Sequence, residues 1–588
     1  MRRSALLSLP LLALAATAAA AGELQPALAA RLREAPADAL VSVIATLGEQ
    51  APIATLSRSL TAVGASRAQR HREVLASLHE AARSQAPLCA WLDEQRATGA
   101  VAGYTAHWIA NLVVVAARPA VIAALAERAD VAYVEPNFSA ALLEPDAEHR
   151  WQRARSIGVT PGLVAIGADR VWRELGITGE GALVAVIDTG VEGSHPALAA
   201  RWRGHFAPAS ECWLDLLGGS PSVPVDPQSH GTHVMGTLTG LAPGDSIGVA
   251  PGALWIATNA IGQGVGTPFN NDVIAAFAWL ADPDGDPDTV EDVPDMVMNA
   301  WGVNEALGYA DCDSRWWAVI DHCEAAGAVV LFSAGGDGPA PGSIRSPADR
   351  ATTALSSFAI GTVDASEPAA WPYPLAAFSS RGPSGCEVSP DLAIKPELVA
   401  PGVDVVSAVA GGGYASYSGS AMAGAHAAGV VALMRSANPD LEVDAIKQIL
   451  LSTARDEGPA GDDNGYGWGC VDAYAAVTQA IAGGPTAAPA SGGPETRLLS
   501  AAPNPFRPGE GAVALALQLA APARVRLAVY DVAGRRLRTL LAAPLGAGEH
   551  VARWDGRDER GRPAATGVYL CRLEAGAASR ALRIVLLR

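Results

Sequence analysis

Three short stretches of this sequence carry the residue types that nucleophilic catalysis uses. "VAVIDTGVEGSHPAL" puts Asp188 directly after an apolar run, "HGTHVMGT" carries His230 and His233, and "SGSAMAGAHAAGV" sets Ser418 and Ser420 among small residues. A carboxylate, an imidazole and a hydroxyl within hydrogen-bond reach can transfer an acyl group, because the acid orients the base and the base takes the proton of the attacking oxygen. Alone, each stretch is ordinary. An aspartate after a strand is usually a solvated cap or turn residue, and a lone histidine is usually structural.

Taken in order, Asp then His then Ser, the three resemble the subtilisin family of serine peptidases. Weaker matches agree: "NAWG" at 299–302, "SAGGDGP" at 333–339, and "FSSRGPS" followed by "KPELVAPGV" between 378 and 403. The resemblance covers roughly 300 residues in matching order and spacing. The insertion "DPDGDPDTVED" before "NAWG" brings it nearest to the bacillopeptidase-F-like branch.

The resemblance implies a triad acid at Asp188, a base at His230 and a structural histidine at His233. In the third stretch Gly419, Met422, Ala423, His426, Ala428 and Gly429 fall on family positions. That register puts Ser420 on the family's threonine site and Ala421 on the nucleophile, so the catalytic oxygen is missing. The same comparison puts Gly336 where an oxyanion-binding asparagine is expected. Ala300 takes the place of a serine in the substrate-binding stretch Ala300-Trp301-Gly302, and Ala425 that of a proline. The function implied is that of a secreted serine-peptidase homologue with no or very low activity, binding a peptide or protein in its cleft.

Two alternatives stand beside this reading. One is an active serine-type endopeptidase using Ser420 or a rebuilt site, although adjacent residues at a helix start point about 100° apart. The other is a structural module of the cell envelope.

The elements that must position these residues follow from hydrophobic periodicity. Between about 160 and 482, short Val/Ile-rich runs such as "ALVAVIDTG", "DMVMNAWG" and "AVVLFSAGG" alternate with helical segments such as "VIAAFAWLA" and "RWWAVIDHCEAAG". That alternation predicts an α/β fold with a doubly wound parallel sheet whose chemistry gathers at the carboxyl ends of its strands. Residues 22–150 read as a small α+β unit. The resemblance makes it a propeptide-like domain, a prosegment that serves as the chain's own partner, and an inert enzyme would keep it attached. Residues 483–497, "GGPTAAPASGGPETR", read as a flexible linker. Residues 498–588 alternate as strands of a small all-β sandwich. It resembles the Ig-like domain of flagellar hook-capping proteins and related C-terminal sorting domains, which implies outer-membrane secretion or surface-attachment machinery as a partner.

The N-terminus, with Arg2 and Arg3 before an apolar run and small residues near Ala21, reads as a secretory signal peptide over 1–21. The net charge of −18 is carried without basic clusters, which argues against a nucleic-acid partner. No cofactor is expected and no zinc pattern is present. A structural calcium is not shown by the sequence, and the acidic run from Asp282 to Asp295 lacks EF-hand order and reads as a solvated loop. Export permits disulfides. The seven cysteines cannot all pair internally; Cys312 and Cys323 could close a short loop, with connectivity left open. Lysine occurs only at Lys395 and Lys447, which reads as compositional bias.

Overall fold

The computed structural model describes residues 22–137, 141–142, 147–151 and 158–483, apart from 219–221, 243, 263–268, 306–308 and 387, together with most of 497–586. The expected leader and all but the ends of the expected linker lie outside the described residues. The chain divides into two compact units, the second beginning at Pro489.

In the first unit, seven strands form one wholly parallel sheet. Their order is Trp213–Leu214, Leu254–Thr258, Leu183–Ile187, Met296–Asn299, Val329–Ser333, Phe358–Val363 and Leu398–Pro401. The central strands read as unbroken apolar runs because both faces are covered, so no alternation is demanded of them. Helices Phe269–Ala281 and Trp317–Ala326 pack as one set; His230–Thr239, Ser420–Ala437 and Ala473–Ile481 pack as another. The predicted doubly wound sheet is present.

The N-terminal region forms a five-stranded sheet in the order Glu23–Leu24, Val131–Pro136, Val41–Leu47, Leu112–Ala117 and Val101–His107. Side chains alternate across a strand, and here the two faces go to different cores. Val41, Val43, Ala45, Val113 and Val115 pack on helices Pro26–Glu34, Ala86–Ala97 and Pro119–Ala126. Ile44, Leu112 and Val114 instead join the large core that also contains Ile320 and Phe277. Helix Arg67–Ala82 packs on helix Trp317–Ala326. Polar ties edge this interface: Arg67 donates to Asp295 at 2.7 Å and to the Val293 carbonyl at 3.0 Å, and Arg315 donates to Glu135 at 2.8 Å. Arg70 pairs with Glu442 at 2.8 Å.

The disulfide differs from the pairing considered above. Cys312 bonds Cys386, while Cys323 is a free thiol. Cys323 lies on helix Trp317–Ala326 with its side chain in the main core, whereas Cys312 and Cys386 are drawn together around Asp349. The Cys312 amide donates to Asp349 Oδ2 at 2.7 Å, and Ser384 donates to the Asp349 carbonyl at 2.5 Å.

Both lysines are fully buried in ion pairs, Lys395 with Glu397 and Lys447 with Glu324. Burial pushes the Lys395 ammonium down and the Glu397 carboxyl up, each opposed by the partner's charge. The second unit is strand-rich, with sheets of three and four strands closing on aliphatic and aromatic residues such as Leu515, Leu527, Trp554 and Tyr569.

Removing one buried partner leaves the other charge unpaired. Lys395→Met is therefore expected to cost about 3–5 kcal/mol in urea unfolding, and Lys395→Met with Glu397→Leu to recover part of it, the Ser356 and Ser357 carbonyls and the Ala359 amide losing these partners. Equal losses in the single and double variants would contradict this.

Candidate functional site

Asp188 is the first residue after strand Leu183–Ile187, and His230 is the first residue of helix His230–Thr239. Both are buried, at 1 % and 3 % exposure, and His230 Nδ1 donates to Asp188 Oδ1 at 2.7 Å. The Thr189 amide donates to the same oxygen at 2.7 Å. The acid thus orients the imidazole, which is the geometry a general base requires. The helix start and the strand end touch: a Cβ on Gly231 would collide with the Gly190 carbonyl oxygen.

Asp226, which the sequence reading missed, builds this contact. Its Oδ1 accepts from Thr189 Oγ1 at 2.9 Å and from the amides of Gln228 and Ser229 at 3.0 Å each. Its Oδ2 accepts from the Thr232 amide at 2.8 Å and the Thr232 hydroxyl at 2.6 Å. Thr189 Oγ1 in turn accepts from the Gly231 amide at 3.0 Å. Burial pushes the Asp226 carboxyl up from its ordinary value, opposed first by the Thr232 donors. The available signal was an acidic residue four positions before His230, the side-chain acceptor that a buried helix N-terminus needs.

His233, one turn further, donates from Nε2 to the carbonyls of Val405 at 3.0 Å and Ala415 at 3.2 Å, and its ring stacks on Tyr417 at 4.2 Å. It thereby holds the hairpin Val405–Val409/Gly413–Ser418, which delivers the chain to Gly419 and helix Ser420–Ala437. Complete burial pushes His233 down to about 3, and the same cause pushes His426 down to about 4.

Ser420 opens that helix, and its hydroxyl accepts from the Gly335 amide at 3.2 Å, so it is turned toward the loop after strand Val329–Ser333. Ala421 follows, 1 % exposed. Gly336 lies in the loop that Ser420 touches; a Cβ there would meet nothing within 4 Å, and its φ is not left-handed. Asn299 ends the neighbouring strand and accepts from Trp301 Nε1 at 2.9 Å, setting the stretch Ala300-Trp301-Gly302.

The edges of the site are paired with the chain's own backbone. Residues Ala141–Leu142 run antiparallel to Trp301–Gly302, and Ala147–Trp151 add a third strand to Gly413–Ser418. In the second pairing Ala147 lies opposite Ser418, three residues before Ala421.

Residues 179–469 match the Subtilase family and residues 504–579 the FlgD Ig-like domain. The chain is 36 % identical to bacillopeptidase F of Bacillus subtilis over 435 residues, which is 70 % of this chain and 29 % of that protein. It therefore spans less than a third of bacillopeptidase F. It is 31 % identical to the serine protease AprX of the same species, over 51 % of this chain and 67 % of that one. Subtilisin Savinase of Lederbergia lenta is 31 % identical over 51 % of this chain and 93 % of its own length.

A histidine held neutral by burial has a folded pKa below its unfolded one. Its stabilising contribution is complete above about pH 6.5 and is lost as pH falls toward about 3 to 4, because only the unfolded chain takes up the proton in that range. The urea midpoint should fall between about pH 6.5 and about pH 4.5, and His233→Gln should flatten that slope. An unchanged slope would count against the assignment.

Proposed function

The chain belongs to the subtilase family, and from that footing we propose that it is a secreted, catalytically silent member whose cleft binds extended peptide, beginning with its own N-terminal segment. The observation that carries this reading is the methyl side chain of Ala421 at the start of a buried helix, next to a Ser420 hydroxyl already engaged with the Gly335 amide. The Asp188–His230 pair is then an oriented base in a chain that carries a methyl group, Ala421, at the family's nucleophile position. Loss of the nucleophile alone costs on the order of 10⁶ in turnover in subtilisin, and an oxyanion donor about 10²–10³ by itself. With Gly336 in the donor's place, little of the residual rate survives.

Peptide binding does not need the missing oxygen. A strand laid against Trp301–Gly302 is held by backbone hydrogen bonds, and the pairing of Ala141–Leu142 there is an instance of it. A chain that does not cut itself keeps that segment joined to the N-terminal region, so an added peptide must displace a tethered competitor. The C-terminal Ig-like domain would attach the exported protein to the envelope, in keeping with the sorting domains that residues 504–579 resemble.

A fluorophosphonate probe read by intact mass tests the proposal. The purified wild-type chain should remain unlabelled, leave casein uncut and retain an N-terminus near residue 22. Ala421→Ser combined with Gly336→Asn should label, since the open space at Gly336 admits a side chain and the Asp188–His230 pair is in place. Stoichiometric labelling of the wild type, lost in Ser420→Ala, would establish the active alternative instead.

A further inference from the structure

The charge of this chain is not evenly divided. The second compact unit, residues 489–588, holds fifteen arginines against eight aspartates and glutamates, so the acidic excess behind the net charge of −18 lies wholly in the first unit. In sequence these arginines look scattered, because they come from different strands. The four-stranded sheet gathers them. Its order is Arg536–Leu545, Ala523–Asp531, Gly567–Ala575 and Ala578–Leu586.

Alternation decides which side chains share the outer face of this sheet. Val525, Leu527 and Val529 of strand Ala523–Asp531 and Tyr569, Cys571 and Leu573 of strand Gly567–Ala575 are buried in the unit's core. Arg524, Arg526, Leu570 and Arg572 therefore turn the other way, and all four are exposed. The register sets Tyr530 opposite both Leu570 and Arg536, so Arg536, exposed as well, joins the same face. Four arginines thus share one face with an apolar pair, Tyr530 and the 41 % exposed Leu570. Glu574 is the acidic side chain beside them, 3.9 Å from Arg526 and 3.4 Å from Arg572. One carboxylate between two guanidinium groups leaves the face positive.

A guanidinium meets a phosphate with two parallel N–H donors, and its aliphatic stem lies along apolar surface while its head stays in water. A soluble polyanion would satisfy the arginines but offer nothing to Leu570. An anionic bilayer satisfies both, with phosphates at the level of the guanidinium groups and an apolar layer just beneath. The acidic first unit is repelled by such a surface, so the basic face is the part of the chain suited to the contact. We propose that this face docks on the phosphate headgroups of an anionic lipid surface, Arg524, Arg526, Arg536 and Arg572 on the phosphates and Leu570 at the acyl boundary. The proposal rests on the envelope-attached reading above and names the chemistry of that attachment.

The test is co-sedimentation of the full chain with vesicles of phosphatidylcholine alone or with about one third phosphatidylglycerol, at about 50 mM and about 500 mM NaCl. Binding is expected to the mixed vesicles at low salt only. Each arginine near such a surface contributes about fivefold, so Arg524→Gln with Arg572→Gln should weaken binding on the order of 20-fold. Arg553→Gln with Arg560→Gln removes the same charge from exposed positions outside this sheet and should cost far less. Both variants change exposed side chains, and unchanged thermal melts confirm that the fold is kept. No binding to the mixed vesicles, equal losses in the two variants, or capture of duplex DNA as tightly as of vesicles at equal phosphate would each overturn the proposal. Cell fractionation reads export separately: an exported chain that ignores the vesicles sinks this proposal alone, and neither result bears on fluorophosphonate labelling.

Discussion

A helix that starts inside a protein must find acceptors for its first amides, and here one carboxylate supplies them. Asp226 accepts from Ser229 and Thr232 at the start of helix His230–Thr239 while also holding Thr189 in the loop after the central strand. Strand end and helix start are thereby fixed to one another, and the 2.7 Å contact between Asp188 and His230 follows from it. One turn along, His233 ties the same helix to the hairpin that delivers Gly419 and Ala421. The frame is complete without any group at position 421. An alanine there makes no hydrogen-bond demand on its neighbours.

The same indifference does not extend to the N-terminal region. Its sheet gives one face to its own helices and the other to the core it shares with the parallel sheet, so separation would expose apolar side chains of that shared core. Ion pairs alone would not hold such an interface, since the cost of desolvating buried charges offsets most of their attraction. Apolar burial does so, with Arg67 and Arg315 fixing the register. A segment joined at both ends also has an effective concentration on the order of millimolar against a free competitor. In the uncut protein proposed above, occupancy of the Trp301–Gly302 edge is set by covalent continuity as much as by the affinity of any residue for it.

Features with a short-range cause were legible in the sequence. The buried strands were visible as apolar runs, and the stretches around Asp188, His230 and Ser420 carried their own turn and helix signals. What escaped depended on distant partners. Asp226 looked like any loop aspartate, because its five donors are specified by the fold. The Cys312–Cys386 bond joins residues 74 apart, and proximity in sequence favoured Cys323, which instead faces the core. Strand Val101–His107 buries only its two end residues and so offers little periodicity to read.

The two lysines show where compositional drift meets a structural limit. Nearly every basic position in this chain is arginine, yet Lys395 and Lys447 remain, and both reach the same short loop. Lys395 donates to the carbonyls of Ser356 and Ser357 at 3.1 and 3.2 Å, and Lys447 to that of Leu355 at 2.8 Å, each while paired with a buried carboxylate. Three consecutive carbonyls turned inward, with Ser357 at a left-handed φ of 44°, need compact donors approaching from separate directions. An ammonium has that shape; a planar guanidinium with five donors in one fork does not, and would leave several of them buried and unpaired. Because this loop leads directly into strand Phe358–Val363, the two ammonium groups also fix where an inner strand of the sheet begins. Arginine at either of these two sites would therefore be severe, and lysine there follows from geometry rather than from composition.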